Sequence, residues 1–191
     1  MTMKESNKLN IAISGHRRIH NDENLRISIQ NVLQKIIEEH PNSQIILYSA
    51  LAEGADQLAA AEALKFPSVT LIVPLPLPEN EYFKDFLSME GKETYRNLSK
   101  QAKTVVDLPL QKEHAIAYEY LNDYLVEQCD LFIVLWDGLD GNSKEGTTAV
   151  VEKANAVGKS IYWIYCENHN GAEKIGINRQ KKTGEIEFLN P

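Results

Sequence analysis

Six runs of β-branched and aliphatic residues recur along the chain, at 9–14, 44–49, 69–73, 104–108, 131–136 and 160–165. Most are continuously apolar rather than alternating. A strand covered on both faces by helices reads this way, and such strands belong to parallel sheets. Between them lie stretches with helical periodicity at 24–39, 55–65, 79–101, 113–128 and 147–157, the third broken near Gly91. In the first of these, Leu25, Ile29, Val32, Leu33, Ile36 and Ile37 fall on one face, the signature of a helix laid on a core. Strands alternating with helices predict a single α/β domain, doubly wound around a mostly parallel sheet of about six strands.

The domain is expected over residues 1–166. A polar tail, 167–191, carries Asn-Gly and Thr-Gly turn signals. It is expected either to form a small hairpin, 175–179 with 185–189, or to lack order. No internal repeat or linker interrupts the pattern.

Composition narrows the function classes. The chain has 191 residues, ordinary hydrophobic content at 43%, and a net charge of −7. That charge disfavours nucleic acid and anionic membrane surfaces. No apolar run approaches a membrane-spanning length, and residues 1–10 are polar, so a cytoplasmic protein is expected. The two cysteines, Cys129 and Cys166, form no CxxC pair and fit a reducing compartment. His16, His20, His40, His114 and His169 are scattered; His16 and His20 have helical spacing but fall in a predicted loop, and Cys166-x2-His169 has no second pair, so no metal site and no cofactor is expected.

In doubly wound folds, ligands bind beyond the carboxyl ends of the strands. The loops at those ends therefore carry the candidate chemistry. The first is Ser14-Gly15-His16-Arg17, where Gly15 permits a tight turn and Arg17 offers a forked donor to a phosphate. The second is Glu53-Gly54-Ala55-Asp56 at the start of a helix, whose acids suit ribose hydroxyls; Asp56 suits the helix dipole equally well. The third, at 74–85, is Pro-rich and contains Tyr82 and Asp85. Tyr82 and Phe86 either stack on a base or pack the insertion onto the sheet, and their helical spacing favours packing. Tyr118, Tyr120 and Tyr124 are read the same way, as packing or interface residues. The fourth runs from Asp137-Gly138 to Gly146-Thr147-Thr148, where a helix begins. The first amides of a helix lack internal partners, and its dipole favours an anion there.

Two of these segments resemble a known family. The run from Ser49 through Glu53-Gly54-Ala55-Asp56 to Leu64 resembles a segment of DNA-processing protein A. Trp136-Asp137-Gly138 with Gly146-Thr147-Thr148 resembles the phosphate loop of the "lonely guy" phosphoribohydrolases. Both belong to the SLOG superfamily of Rossmann-like nucleotide-binding proteins. With Ser14-Gly15-His16-Arg17, the resemblance covers most of residues 9–165. It implies a nucleotide or nucleotide-derived ligand, a sensor or binding role, and a homo-oligomer formed through helices. It also implies an alternative, a nucleoside-monophosphate glycosidase.

The phosphoribohydrolase motif has a catalytic glutamate three residues after its threonine; here that position is Val150. Glu152 lies two residues further on, about 200° around the helix. The family's catalytic arginine corresponds to Leu121, and the nearest ionisable candidate in that helix is His114. The residues that hold a phosphate are kept and those that cleave the ligand are not. Binding is therefore expected above catalysis, and any catalysis would rest on other carboxylates such as Glu53, Asp56 or Asp137.

Overall fold

A computed structural model describes residues 7–19, 22–139, 146–168 and 181–190. Seven strands form one sheet: β1 (Asn7–Gly15), β2 (Ser43–Tyr48), β3 (Val69–Leu75), β4 (Thr104–Asp107), β5 (Leu131–Trp136), β6 (Ser160–Tyr165) and β7 (Ile186–Leu189). Their order is β4-β3-β2-β1-β5-β6-β7. The first six are parallel, as their unbroken apolar character required. The seventh, one more than expected, comes from the polar tail and pairs antiparallel with β6, Tyr162 opposite Phe188. The other half of the anticipated hairpin lies outside the described residues.

The helices are α1 (Glu23–Glu39), α2 (Ala55–Ala63), α3 (Glu79–Tyr82), α4 (Met89–Ser99), α5 (His114–Gln128) and α6 (Thr147–Ala156). α1 starts where Asp22 accepts a hydrogen bond from the Leu25 amide, and it buries Leu25, Ile29, Val32, Leu33 and Ile36 against the sheet. Each such side chain contributes about 1.5–3 kcal/mol by leaving water. Glu62 of α2, fully buried, accepts from Arg26 and Gln30 of α1 and pairs with Lys65. That charge cluster fixes α1 against α2, since a buried carboxylate must keep its donors.

The stretch expected as one helix broken at Gly91 is built otherwise. α3 passes into a 3₁₀ turn, Phe83–Asp85, and the break falls at Phe86 to Ser88. There the Ser88 hydroxyl caps α4 by accepting from the Gly91 amide at 2.9 Å. Gly91 sits inside α4 because a Cβ there would come within 2.5 Å of the Glu53 carboxyl carbon. A glycine kept for close approach reads, in sequence, like a helix break.

The chain order reverses between β1 and β5, where β1 steps to β2 on one side and pairs with β5 on the other. The connections leaving these two strands diverge to opposite faces, which opens a crevice at their carboxyl ends.

Candidate functional site

A cavity of about 830 Å³ occupies that crevice. Nine of the twelve residues predicted from the strand-end loops line it: Ser14, Gly15, His16 and Arg17 after β1, Asp56 at the start of α2, Asp137 after β5, and Gly146, Thr147 and Thr148 at the start of α6. Residues separated by more than a hundred positions in sequence are thus joined by the parallel register, in which Gly15 pairs with Leu135.

Gly15 and Gly54 serve close approach of the strand-end segments to one another. Gly15 lies so close to α2 and β5 that a Cβ would be 2.5 Å from the Ala55 Cβ and 2.6 Å from the Leu135 carbonyl oxygen. Gly54 has φ +96°, and a Cβ there would be 2.4 Å from the Arg17 carbonyl oxygen. The approach it permits is to the β1 loop, whose His16 carbonyl accepts from the Ala55 amide at 3.0 Å. Gly54 is therefore outside the cavity lining, as is Gly138, which lies against the Trp163 ring.

Glu53 is also absent from the lining. Its carboxylate accepts from the Leu87 amide at 2.5 Å, the Ser88 amide at 3.2 Å and the Ser88 hydroxyl at 2.6 Å. It fastens the insertion to the start of α2. The Thr148 hydroxyl is spent as well: it donates to the Leu139 carbonyl at 3.1 Å and holds the start of the loop. What α6 presents to the cavity is its first turn, with Gly146 as an N-cap that makes no side-chain cap bond.

His16 is clamped on both ring nitrogens. Nε2 lies 3.0 Å from Asp137 Oδ1, and Nδ1 lies 3.3 Å from the Asn168 side-chain amide. The Asp137 amide donates to the same Nε2 at 3.2 Å. His16 thus ties the β1 loop to the β5 loop and to the start of the tail.

Asp56 is 7% exposed. Burial raises its carboxyl to about 7, against the Ala52 backbone hydrogen bond, the Arg17 charge and the Ser49 hydroxyl, which pull it down. The turn beside it is strained: Leu51 has φ +57°, held by Ser49 Oγ, which accepts from the Leu51 amide, and by Gln57, which donates to the Leu51 carbonyl.

The far wall is built from residues that the sequence placed in the packing class. The Arg17 guanidinium lies over the Tyr118 ring, 5.0 Å from its centroid, and donates to the Asp85 carbonyl at 3.3 Å. Tyr118 donates to Asp85 Oδ2 at 2.5 Å. His114 stands 3.9 Å from the same carboxylate. Tyr82 is fully buried against Phe86, Tyr95 and Tyr118, and donates to the Ala50 carbonyl at 3.1 Å. It packs the insertion and still borders the cavity. Arg18, Asp85, His114, Tyr118, Asn122 and Asn168 join the lining. Spacing along α5 was the available signal: residues 114, 118, 121, 122 and 125 share one helix face.

Among the described residues, no His, Cys, Asp and Glu cluster could hold a metal ion. No helix among them is long and apolar enough to cross a membrane.

No family model matches the chain, and no curated protein sequence matches it either. Among solved structures, DNA processing protein A from Streptococcus pneumoniae is similar over 90% of this chain, at 16% identity and a TM-score of 0.56. The chain spans 54% of that protein's length. The structural-genomics target TM1055 is similar over 79% of this chain and 71% of its own, at 15% identity and a TM-score of 0.47. The Moco carrier protein from Chlamydomonas reinhardtii is similar over 82% and 75%, at 19% identity and a TM-score of 0.46. The chain has the Rossmann-like fold of DNA processing protein A, which is the fold that the SLOG resemblance implied.

Proposed function

We propose that the protein binds a nucleotide or nucleotide-derived small molecule in the cavity at the β1–β5 switch point, as a sensor or ligand-binding module. The phosphate rests on the first turn of α6 at Gly146 and Thr147, with Arg17 opposite. The observation that carries this reading is Arg17 itself. Its guanidinium has five donors; it lines the cavity, donates to the Asp85 carbonyl, engages the Tyr118 side chain, and forms no ion pair with a carboxylate among the described residues. A partly buried arginine held over a ring, with no carboxylate paired to it among the described residues, keeps donors for an anion.

Binding is favoured over turnover because Leu121 lines the cavity at the position that the resemblance assigns to a catalytic arginine, and Val150 is buried in the α6 core. One observation supports the glycosidase alternative: Asp56, held near neutral pH within the cavity, has the affinity for protons that a general acid needs.

Isothermal titration of the chain with nucleoside monophosphates, cyclic nucleotides and ADP-ribose tests the proposal. Binding by the wild type and its loss in Thr147→Glu are expected. Equal binding by that variant refutes the phosphate assignment. Release of free base from AMP or CMP, abolished in Asp56→Asn, would move the protein to the glycosidase reading.

A further inference from the structure

Three acids line the cavity, Asp56, Asp85 and Asp137, and they differ in what their carboxylates already hold. Asp137 is engaged by the His16 ring at 3.0 Å and by the Leu139 amide at 3.1 Å, and its side chain is 7% exposed. Asp56 is as deeply covered, with the Ala52 amide and the Ser49 hydroxyl against it. Asp85 is the open one, its side chain 26% exposed. Tyr118 donates to Oδ2 at 2.5 Å, and His114 Nδ1 stands 3.9 Å from the same oxygen. Among the described residues, no group donates to Oδ1.

The place of this oxygen says what it is for. The Asp85 carbonyl accepts from Arg17 at 3.3 Å, so its carboxylate stands beside the guanidinium assigned to the phosphate. A carboxylate next to an anion site weakens that site, because like charges repel. Fastening the insertion does not require it: Glu53 holds the Leu87 and Ser88 amides, and Tyr82, Phe83, Phe86 and Tyr95 pack together. A carboxylate only accepts hydrogen bonds. The group it takes must therefore be a donor on the part of the ligand next to the phosphate. In a nucleotide that part is the sugar, whose hydroxyls are donors.

We propose that Asp85 is a sugar-binding residue: Oδ1 accepts from the 2′- and 3′-hydroxyls of a ribose and so selects ribonucleotides over deoxyribonucleotides. Tyr118 positions the carboxylate by holding Oδ2. The subsite rests on the phosphate reading for the ligand's other end but makes its own contact, so the two can fail separately.

The experiment is a calorimetric titration of the full chain with inorganic phosphate, AMP, 2′-deoxy-AMP, 3′-deoxy-AMP, adenosine and 2′-deoxyadenosine. The wild type is expected to bind AMP about tenfold more tightly than either deoxy nucleotide, as hydrogen bonds to a charged acceptor allow. Asp85→Asn keeps an acceptor for Tyr118. Its discrimination should fall to about threefold, because a neutral hydrogen bond is about half as strong as a charge-assisted one. Inorganic phosphate should bind that variant several-fold more tightly, because the repulsion is gone. A purely structural role would weaken phosphate and AMP together and leave the ratio unchanged, and that result overturns the proposal. Should the variant fail to fold, the Asp85 carboxyl carbon signal of the wild type decides: it should move more with AMP than with either deoxy nucleotide, and equal movement overturns the proposal. Adenosine binding as tightly as AMP, with 2′-deoxyadenosine about tenfold weaker, would keep the sugar contact and discard the phosphate site. Phosphate binding with equal affinity for AMP and both deoxy nucleotides would keep the phosphate site and overturn the sugar contact. No binding of any of the six overturns both.

Discussion

The guanidinium of Arg17 lies over the ring of Tyr118, 5.0 Å from its centroid, although the two residues come from the first strand-end loop and the fifth helix. Asp85, from the insertion, completes the arrangement by taking the Tyr118 hydroxyl on its carboxylate and Arg17 on its carbonyl. Three segments thus hold the guanidinium in place. Stacking contributes about 0.5–2 kcal/mol, depending on how far the pair is removed from water. Tyr118→Phe keeps the ring and loses the hydroxyl; Tyr118→Ala loses both. Affinity for a nucleoside monophosphate is expected to fall a few-fold in the first variant and about tenfold or more in the second. Arg17→Lys should match the second, because an ammonium cannot reproduce the fork. Calorimetry with the monophosphate and its free nucleoside separates the effects. Equal affinities in wild type and Tyr118→Ala would show that the stack does not serve the anion.

Asp56 makes stability and binding depend on pH in opposite halves of one linkage. Burial lifts its folded carboxyl to about 7 from the ordinary carboxylate range near 4. Between those values the folded chain keeps a proton that the unfolded chain has lost. Stability from this group is therefore full below about pH 4 and declines as pH rises to 7. Asp56→Asn removes the titration. The variant should gain on the wild type by an amount on the order of a few kcal/mol between pH 4 and pH 8. Anion binding beside Arg17 favours the protonated acid, so the ratio of wild-type to Asp56→Asn affinity for the phosphate should rise toward one as pH falls from 8 to 6, the ligand's own titration cancelling in the ratio. A pH-independent stability difference between the two proteins contradicts this account.

The architecture was legible because burial on two faces writes itself into a strand as an unbroken apolar run, as in Leu131 to Trp136. The strand-end loops were legible because polar and glycine residues at such positions have few other reasons to occur. What could not be read was the direction of individual side chains. Glu53 and Asp56 stand three residues apart at one helix start, yet Glu53 turns to the amides of Leu87 and Ser88 while Asp56 lines the cavity. Tyr118 was indistinguishable from a packing tyrosine because it is one: it packs on Arg17 and Tyr82 and lines the cavity with the same ring. Strand β7 falls within 185–189, one arm of the hairpin that the turn signals offered, but its pairing with β6 was not read, because β6 precedes it by a long stretch of chain.

His16 links three loops, through Asp137 at 3.0 Å and Asn168 at 3.3 Å. With both nitrogens engaged, it is a brace for the cavity mouth rather than a free base. His16→Ala should lower stability by about 1–2 kcal/mol, as expected for lost hydrogen bonds of which one is charge-assisted. Its larger effect should be local: faster amide exchange at residues 137–139 and 166–168, with the central strands unchanged. Uniform exchange in wild type and variant would remove the brace.

Gly91 and Glu53 supply a test in which the sign of a mutational effect reverses. Alanine in a helix interior is favoured over glycine by about 0.8–1 kcal/mol. At position 91 the added methyl would lie 2.5 Å from the carboxyl carbon of Glu53 and would push that carboxylate off the Leu87 and Ser88 donors. Those contacts are charge-assisted but open to water, which takes up the freed donors, so losing them costs about 1.5–3 kcal/mol in all. Gly91→Ala is therefore expected to destabilise the protein, by about 0.5–2 kcal/mol after the helical gain is subtracted. Glu53→Ala should destabilise it by a similar amount. In the Glu53→Ala background the obstacle is gone, so adding Gly91→Ala should be stabilising by up to about 1 kcal/mol. Denaturant unfolding of the four proteins in the cycle measures the coupling directly. Additive effects would mean that Glu53 accommodates the methyl elsewhere. Reversal would establish that Gly91 is kept for the carboxylate packed against it, and that the insertion forming the far wall of the cavity is anchored there.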